Sequence, residues 1–220
     1  HYLYCIDYFV KIMNQKNSLD INNCFLELKN PIQLFEKWMD EAKKTEPNDP
    51  NAVALATTNK NNMPSVRMVL LKDFNENGFV FYTNLNSQKG NELKENPYAA
   101  MCFHWKSLLR QIRIVGKISL VSDKVANEYY SSRAYESRIG AWASKQSEEL
   151  KSRDQLLRSI EEYKNKFEDQ KNVPRPKHWS GWNLSPSSIE FWLDGDNRIH
   201  ERLKYTKTSS GEWIKSLLSP

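Results

Sequence analysis

Arginine and histidine alternate at Arg198, His200 and Arg202 in the stretch RIHERLKY. Successive side chains of a strand point to opposite faces, so these three are expected to line one face together. Two guanidinium groups and an imidazole that close repel one another in the absence of an anion. The chemistry they suit is therefore recognition of an anionic ligand. Three further cation-bearing stretches, RMVLLK at 67–72, SQK at 87–89 and YYSSRAYES at 129–137, imply more than one phosphate to hold.

Tyr129, Arg133 and Ser137 are spaced by four, which places them along one face of a continuous helix. A phenol, a guanidinium and a hydroxyl in a row can grip a phosphate; the same spacing also fits a solvated helix face. Arg67 and Lys72 are five apart, so an ideal strand sends them to opposite faces. They serve one site only if the strand twists or ends between them, or if a subunit boundary lies there; ordinary cations flanking a strand are the other reading. With seven glycines the chain has neither a GxGxxG nor a P-loop, so side chains and element ends must hold any phosphate. There is no GxSxG elbow, HExxH or metal-ligand spacing, and no metal is expected. An enzyme with this inventory takes its chemistry from an organic cofactor.

The elements that must position these residues read as follows. Asn30 and Pro31 mark an N-cap and first helical position, and Ile32, Phe35, Met39 and Ala42 recur at helical spacing to about Lys44. From Ala52 the pattern turns to β, with AVALATT, SVRMVLLKDF and, after the turn-like NENG, FVFYTN. Ser87 caps a short helix that Pro97 ends, and AAMCFHW and RQIRIVGKISLV are the next strands, with Ile112 and Ile114 on one face and Gln111 and Arg113 on the other. Asp123 is expected to cap a helix through NEYYSSR, and a longer polar helix to span roughly 147–167. DQKNVPRPKHWSGW reads as a surface connector, followed by the strands IEFWLDG and RIHERLKYTK. Mostly antiparallel β with helices around it points to an α+β barrel.

At 220 residues, with 39% hydrophobic and 27% charged residues, the chain can bury one substantial core, and no apolar run is long enough for a membrane span. Its net charge of +5 is dispersed, which suits phosphorylated small molecules as well as nucleic acid, and no nucleic-acid motif accompanies it. Cys5, Cys24 and Cys102 are odd in number and fit no metal spacing, so reduced thiols and a cytoplasmic location are expected. The opening HYLYCIDYFV lacks a basic leader and reads as a truncated or processed terminus instead of a signal peptide. Trp105, Trp142 and Trp179 read as packing residues, and His104 and His178 as structural or exposed.

The blocks RMVLLK, GFVFYTNLNSQKG, FHWKSLLRQIRIVGK, YYSSRAYESRIGAWASKQS, IEFWLDGDNRIHERLKY and the closing W-x-x-x-x-L-x-P follow one another in a known order from Pro31 to Pro220. In them the chain resembles the pyridoxamine 5′-phosphate oxidases, FMN enzymes of vitamin B6 metabolism. The resemblance implies an FMN-binding split β-barrel over residues 31–220, including a C-terminal dimerisation and substrate region, behind an N-terminal extension at 1–30. It also implies a homodimer with FMN at the subunit interface. The positions matching the family's cofactor contacts are Arg67, Met68, Val69, Leu70, Leu71 and Lys72, then Tyr82, Thr83, Gln88, Lys89, Gln111, Gln146, Ser147, Trp192 and Arg202. Those matching its substrate contacts are Lys72, Tyr129, Arg133, Ser137, Arg198 and His200, with the last two facing the reacting carbon and the ring hydroxyl.

The implied activity is oxidation of pyridoxamine and pyridoxine 5′-phosphates by oxygen to pyridoxal 5′-phosphate, with hydrogen peroxide and, from the amine, ammonia. Two departures stand out. Gln88 replaces the family's usual arginine, exchanging a charge-assisted contact to the FMN phosphate for a neutral one, and residues 1–30 carry no match to the family's Arg and Tyr lid. A non-catalytic FMN or pyridoxal phosphate binding protein of the same fold is the nearest alternative, and a nucleic-acid-binding barrel the more distant one.

Overall fold

Helix α1 (Pro31–Thr45) starts where Asn30 Oδ1 accepts a hydrogen bond from the Ile32 amide at 3.0 Å. Its apolar stripe, Leu34, Phe35, Trp38, Met39 and Ala42, is buried, and Phe35 meets Phe74, Phe79 and Phe103 edge-to-face. The computed structural model describes residues 28–220. Most of the N-terminal extension, with Cys5 and Cys24, lies outside the described residues.

The remaining elements run β1 (Ala52–Thr58), β2 (Pro64–Leu70), β3 (Asp73–Asn75), β4 (Gly78–Asn84), α2 (Gln88–Glu95), β5 (Tyr98–Trp105), β6 (Arg110–Leu120), α3 (Asp123–Ser132), α4 (Tyr135–Ala143), α5 (Arg153–Lys166), β7 (Trp179–Leu193), β8 (Glu201–Lys207) and β9 (Trp213–Leu218). All pairings are antiparallel, in the order β2-β1-β5-β6-β7-β4-β3, with β8 beside β7 and β9 beside β8. This is the expected α+β, mainly antiparallel class. β2 and β3 stand at the two ends of that order although only Leu71 and Lys72 separate them, so the sheet curls until its ends meet. The interior of the curl holds Val53, Leu55, Met101, Phe103, Ile112, Ile114, Ile189 and Phe191.

Five expectations are corrected. SVRMVLLKDF is two strands, because the amide of Leu71 bonds to Asn51 on one side of the seam and that of Lys72 to Val80 on the other. The connector ends earlier than expected: β7 begins at Trp179 and accommodates Pro186 at a register shift opposite Gly116, where a missing amide and a missing Cβ are both tolerated. The polar helix starts at Arg153, capped by Ser152, since Ser147 has a left-handed φ of 74° that a right-handed α-helix does not contain. The cap of α3 is Ser122, with Asp123 in its first turn. β9, inside the closing GEWIKSLLSP, was not expected as a strand.

Candidate active site

Lys72, Lys89 and Arg133, from the stretches at 67–72, 87–89 and 129–137, form a first cluster on a cleft of about 500 Å³ lined also by Met68, Val69, Leu70, Tyr82, Thr83, Tyr129, Ser137, Gln146 and Trp179. The strand break at Leu71 brings Lys72 round to this cleft. Tyr129, Arg133 and Ser137 do not lie on one continuous helix. α3 ends at Ser132, Arg133 is its extended C-cap at ψ 149°, and α4 begins at Tyr135. The kink leaves all three side chains on the cleft nonetheless. It is pinned by Tyr130, whose buried hydroxyl donates to the Arg138 carbonyl at 2.9 Å and whose pKa burial pushes up to about 12.

Inside the cleft Tyr82 stacks on Tyr129 at 3.9 Å and on Trp179 at 5.3 Å, and the Arg133 guanidinium lies 4.7 Å over the Trp179 ring. Gly181 faces Tyr82 across the β4–β7 ladder, and a Cβ there would come within 2.7 Å of the ring. Burial first, then the phenol of Tyr129, raises the Tyr82 pKa. Trp179 therefore walls the site as well as packing, a role the sequence reading missed; it stands three and five positions from the core residues Trp182 and Leu184, odd spacings that send it to the other face of β7.

Lys89, near the start of α2, is buried, and its Nζ donates to two neutral acceptors, Thr83 Oγ1 at 3.2 Å and Gln146 Oε1 at 3.3 Å. Desolvation, and after it the charge of Arg67, lowers its pKa. Desolvation likewise lowers that of Arg133, whose Nη1 is buried without a hydrogen-bond partner. Two dehydrated cations in one cleft fit an anionic group such as a phosphate, which would supply the missing acceptors.

Arg67 lies behind this cleft instead of lining it, donating to Leu55 O at 3.1 Å and Glu92 Oε2 at 3.3 Å and to the hydroxyls of Thr57 and Ser65. Burial pushes the Glu92 carboxyl up, but hydrogen bonds from Ser65, Thr57 and Gln88 and the Arg67 charge outweigh it, and the net pKa is lowered. Gln88 is exposed and donates to Glu92 Oε1 at 2.9 Å, while Leu71 is buried in the core. Ser147 adjoins Gln146 in a smaller neighbouring cavity.

The second cluster lies elsewhere. Arg198, His200 and Arg202 do not share a strand: β8 begins at Glu201, and Asn197 and Arg198 both have left-handed φ, 56° and 65°, in a one-turn 3-10 segment. Only Arg202 is on the sheet, where Gln111, Trp192 and Arg202 pair laterally across β6, β7 and β8 and so share one face. The His200 ring lies 4.7 Å from Trp192, and its Nδ1 is engaged by Asp194 at 3.0 Å and the Gly195 amide at 3.2 Å. His200 and Arg202 line a cavity of about 360 Å³ with Gly195, Ile199 and Leu217, sharing no residue with the first cleft. Arg198 is exposed.

The two clusters mark opposite ends of β7. Trp179 and Trp192 are thirteen positions apart, a contour of roughly 40 Å at about 3.3 Å per residue. Val66, Val115 and Ile214 fall in one lateral row of the sheet's outer face, with Met68 beside them, and these four apolar side chains are between 43% and 68% accessible. Among the described residues no group of His, Cys, Asp and Glu is placed to hold a metal ion, and no helix is long and apolar enough to cross a membrane.

The family profile described as "Pyridoxamine 5′-phosphate oxidase" matches residues 39–167, and "Pyridoxine 5′-phosphate oxidase C-terminal dimerisation region" matches 179–220. The pyridoxine/pyridoxamine 5′-phosphate oxidase of Pelagibacter ubique (strain HTCC1062) is 74% identical over 208 residues, covering 94% of this chain and all of its own. That of Brucella ovis is 53% identical, over 89% of this chain and 94% of its own. Among solved structures, PhzG from Burkholderia lata 383, in complex with tetrahydrophenazine-1-carboxylic acid, superposes with a TM-score of 0.84 at 28% identity, covering 92% of this chain and 100% of its own. A pyridoxamine 5′-phosphate oxidase-related, FMN binding protein from Nostoc punctiforme PCC 73102 shares the fold at a TM-score of 0.71 and 17% identity, over 88% of this chain and 99% of its own.

Proposed function

The chain belongs to the pyridoxamine 5′-phosphate oxidase family, and on that premise we propose that it oxidises pyridoxine and pyridoxamine 5′-phosphates to pyridoxal 5′-phosphate as an FMN-dependent homodimer. The alcohol and oxygen give the aldehyde and hydrogen peroxide; the amine, oxygen and water give the aldehyde, ammonia and hydrogen peroxide. FMN, when bound, supplies the two-electron acceptor for the hydride that leaves the substrate carbon.

The observation that carries this reading is the pair of dehydrated cations in the first cleft, Lys89 and Arg133, which lack acidic partners there. Lys89, with Arg67 behind it and Thr83 and Gln146 around it, is suited to the FMN phosphate, and Met68, Val69 and Leu70 to the flavin edge. Lys72, Tyr129, Arg133 and Ser137 are suited to the phosphate of the substrate. On the second cluster Gln111, Trp192 and Arg202 present one polar and aromatic row to the cofactor. Arg198 and His200 orient the substrate, and with Nδ1 of His200 held on the protein side, Nε2 is the ring nitrogen left for a ligand.

Because the clusters occupy opposite ends of β7, each complete site draws one cluster from each protomer, and the exposed apolar face supplies a surface for that pairing. Mixing an Arg133→Met variant with an Arg198→Ala variant tests this. At pyridoxine 5′-phosphate concentrations far below the raised KM of the Arg133→Met variant, each homodimer is expected to be nearly inactive, whereas subunit exchange leaves one intact site per heterodimer and restores about a quarter of the wild-type activity at that concentration. No recovery, with exchange verified, refutes a shared site. The chemistry itself is tested by adding pyridoxine 5′-phosphate anaerobically to the FMN-loaded protein. Bleaching of the flavin band with recovery in air is expected, and a band that the substrate leaves untouched would identify a non-catalytic binding protein.

A further inference from the structure

Glu190 is a buried carboxylate near the C-terminal end of β7, with a side chain only 6% exposed, and none of the sequence motifs singled it out. It faces the same side of the sheet as Trp192, two positions on. Its Oε1 accepts a hydrogen bond from Arg202 Nε at 2.8 Å and its Oε2 forms an ion pair with Arg113 Nη2 at 3.1 Å, so one carboxylate bridges β6 and β8 across β7. Arg113 stands directly opposite Glu190 in the register, whereas Arg202 reaches it diagonally from the row that also holds Gln111 and Trp192. A second bond, from Arg202 Nη1 to the Ser219 carbonyl at 2.9 Å, anchors the other edge of that guanidinium to the C-terminal end.

We propose that Glu190 is a positioning residue for cofactor binding: it locks the Arg202 guanidinium, through Nε, in the orientation that presents the remaining donors to FMN. A planar guanidinium has five N–H donors in a fixed fork. With Nε spent on Glu190 and one Nη1 hydrogen on Ser219, the Nη2 edge is the part turned to a ligand. The buried carboxylate also offsets one of the two guanidinium charges, so that the pair can stand together before an anion binds. Without it Arg202 has a flexible stem and a repelling neighbour in Arg113, and the ordering of the fork must be achieved at the moment of binding. This inference rests on the assignment of Arg202 to the FMN site.

The experiment is a double-mutant cycle on FMN affinity, read by quenching of flavin fluorescence on titrating apoprotein, with dimer content and thermal unfolding of each apo variant in parallel. The variants are Glu190→Gln, Arg202→Ala and the two combined, with Glu190→Asp as the conservative change. Glu190→Gln is expected to weaken FMN by about 10- to 100-fold, the span of one charge-assisted hydrogen bond. In the Arg202→Ala background it is expected to add nothing, and Glu190→Asp is expected to recover part of the loss. A purely structural carboxylate would weaken FMN equally with and without Arg202, which overturns the proposal, as does a folded Glu190→Gln dimer with unchanged affinity. If Arg202→Ala itself leaves FMN affinity unchanged, the site assignment has failed and the positioning role falls with it. Should Glu190→Gln not fold, failure of Glu190→Asp to weaken FMN in the wild-type background refutes the idea.

Discussion

Replacing Arg133 by methionine separates ligand recognition from stability. In the ligand-free protein this guanidinium is dehydrated, its Nη1 has no hydrogen-bond partner, and it lies over the Trp179 ring at 4.7 Å and, more distantly, the Tyr130 ring at 5.9 Å. Losing the ring contact costs about 0.5–2 kcal/mol, while removing a buried unsatisfied donor returns about 1–3 kcal/mol. The two nearly cancel, so the melting temperature of the apoprotein is expected to stay within about 2–4 °C of wild type, or to rise. Binding behaves differently. A phosphate would have accepted a charge-assisted hydrogen bond from Nη1, worth about 1.5–3 kcal/mol net, so Arg133→Met is expected to raise KM for pyridoxine 5′-phosphate by about 10- to 150-fold. Steady-state peroxide release with pyridoxine 5′-phosphate, beside unphosphorylated pyridoxine as the control, gives the ratio. The weak activity on pyridoxine is expected to be unchanged. An equal loss on both substrates, or a KM for the phosphate ester that does not move, would refute the placement of Arg133 on the phosphate.

Arg198→Ala is expected to cut turnover strongly while FMN stays bound, since Arg198 lies in the second cluster and outside the cleft that holds Lys89; stopped-flow reduction of bound flavin checks it, and unchanged reduction kinetics would remove Arg198 from the chemistry. Lys89 is charged below its lowered folded pKa and neutral above it, so FMN affinity is expected to fall as pH rises through a value below the ordinary 10.5. The same lowering makes protonated Lys89 a cost to the empty fold, and apoprotein stability is expected to rise with pH over that window, up to the unfolded lysine value. Lys89→Met should flatten both profiles, and a wild-type affinity independent of alkaline pH would remove Lys89 from the phosphate. Gln88→Arg is expected to tighten FMN by about five-fold, the difference between a charged and a neutral hydrogen bond, as measured by fluorescence titration; no change would show that position 88 does not reach the phosphate. Gly181→Ala places a methyl within 2.7 Å of the Tyr82 ring, and is expected to disturb the Tyr82–Tyr129 stack and weaken substrate more than it lowers the melting temperature, as KM and thermal unfolding would report.

Much of this protein was determined by local sequence. The Asn30-Pro31 cap, the buried Ile112 and Ile114 with Gln111 and Arg113 opposite, and the Ser87 cap follow from periodicities of 3.6 and 2 and from backbone groups that need a partner nearby. The chemical types of the site were equally legible, because clustered cations imply an anion whatever the fold; which of them already have an acid, as Arg67, Arg202 and His200 do, only the structure shows. Spacing alone misplaced the geometry. Arg198 and His200 looked like strand neighbours of Arg202, yet left-handed φ values at Asn197 and Arg198 bend the chain before β8 begins; Tyr129, Arg133 and Ser137 looked like one helix, yet α3 stops between the first and second of them. The break before β8 carries a local cue, since Asn197 tolerates the left-handed region and follows the turn-like Asp194-Gly195-Asp196; the break at Arg133 has no Gly or Pro at the residue that bends. Closure of the sheet, which brings Lys72 across the seam, and the bridge from Glu190 to two other strands depend on contacts between residues far apart in the chain. Such contacts are selected by the packing of the whole core, and that is why only the tertiary structure decided them.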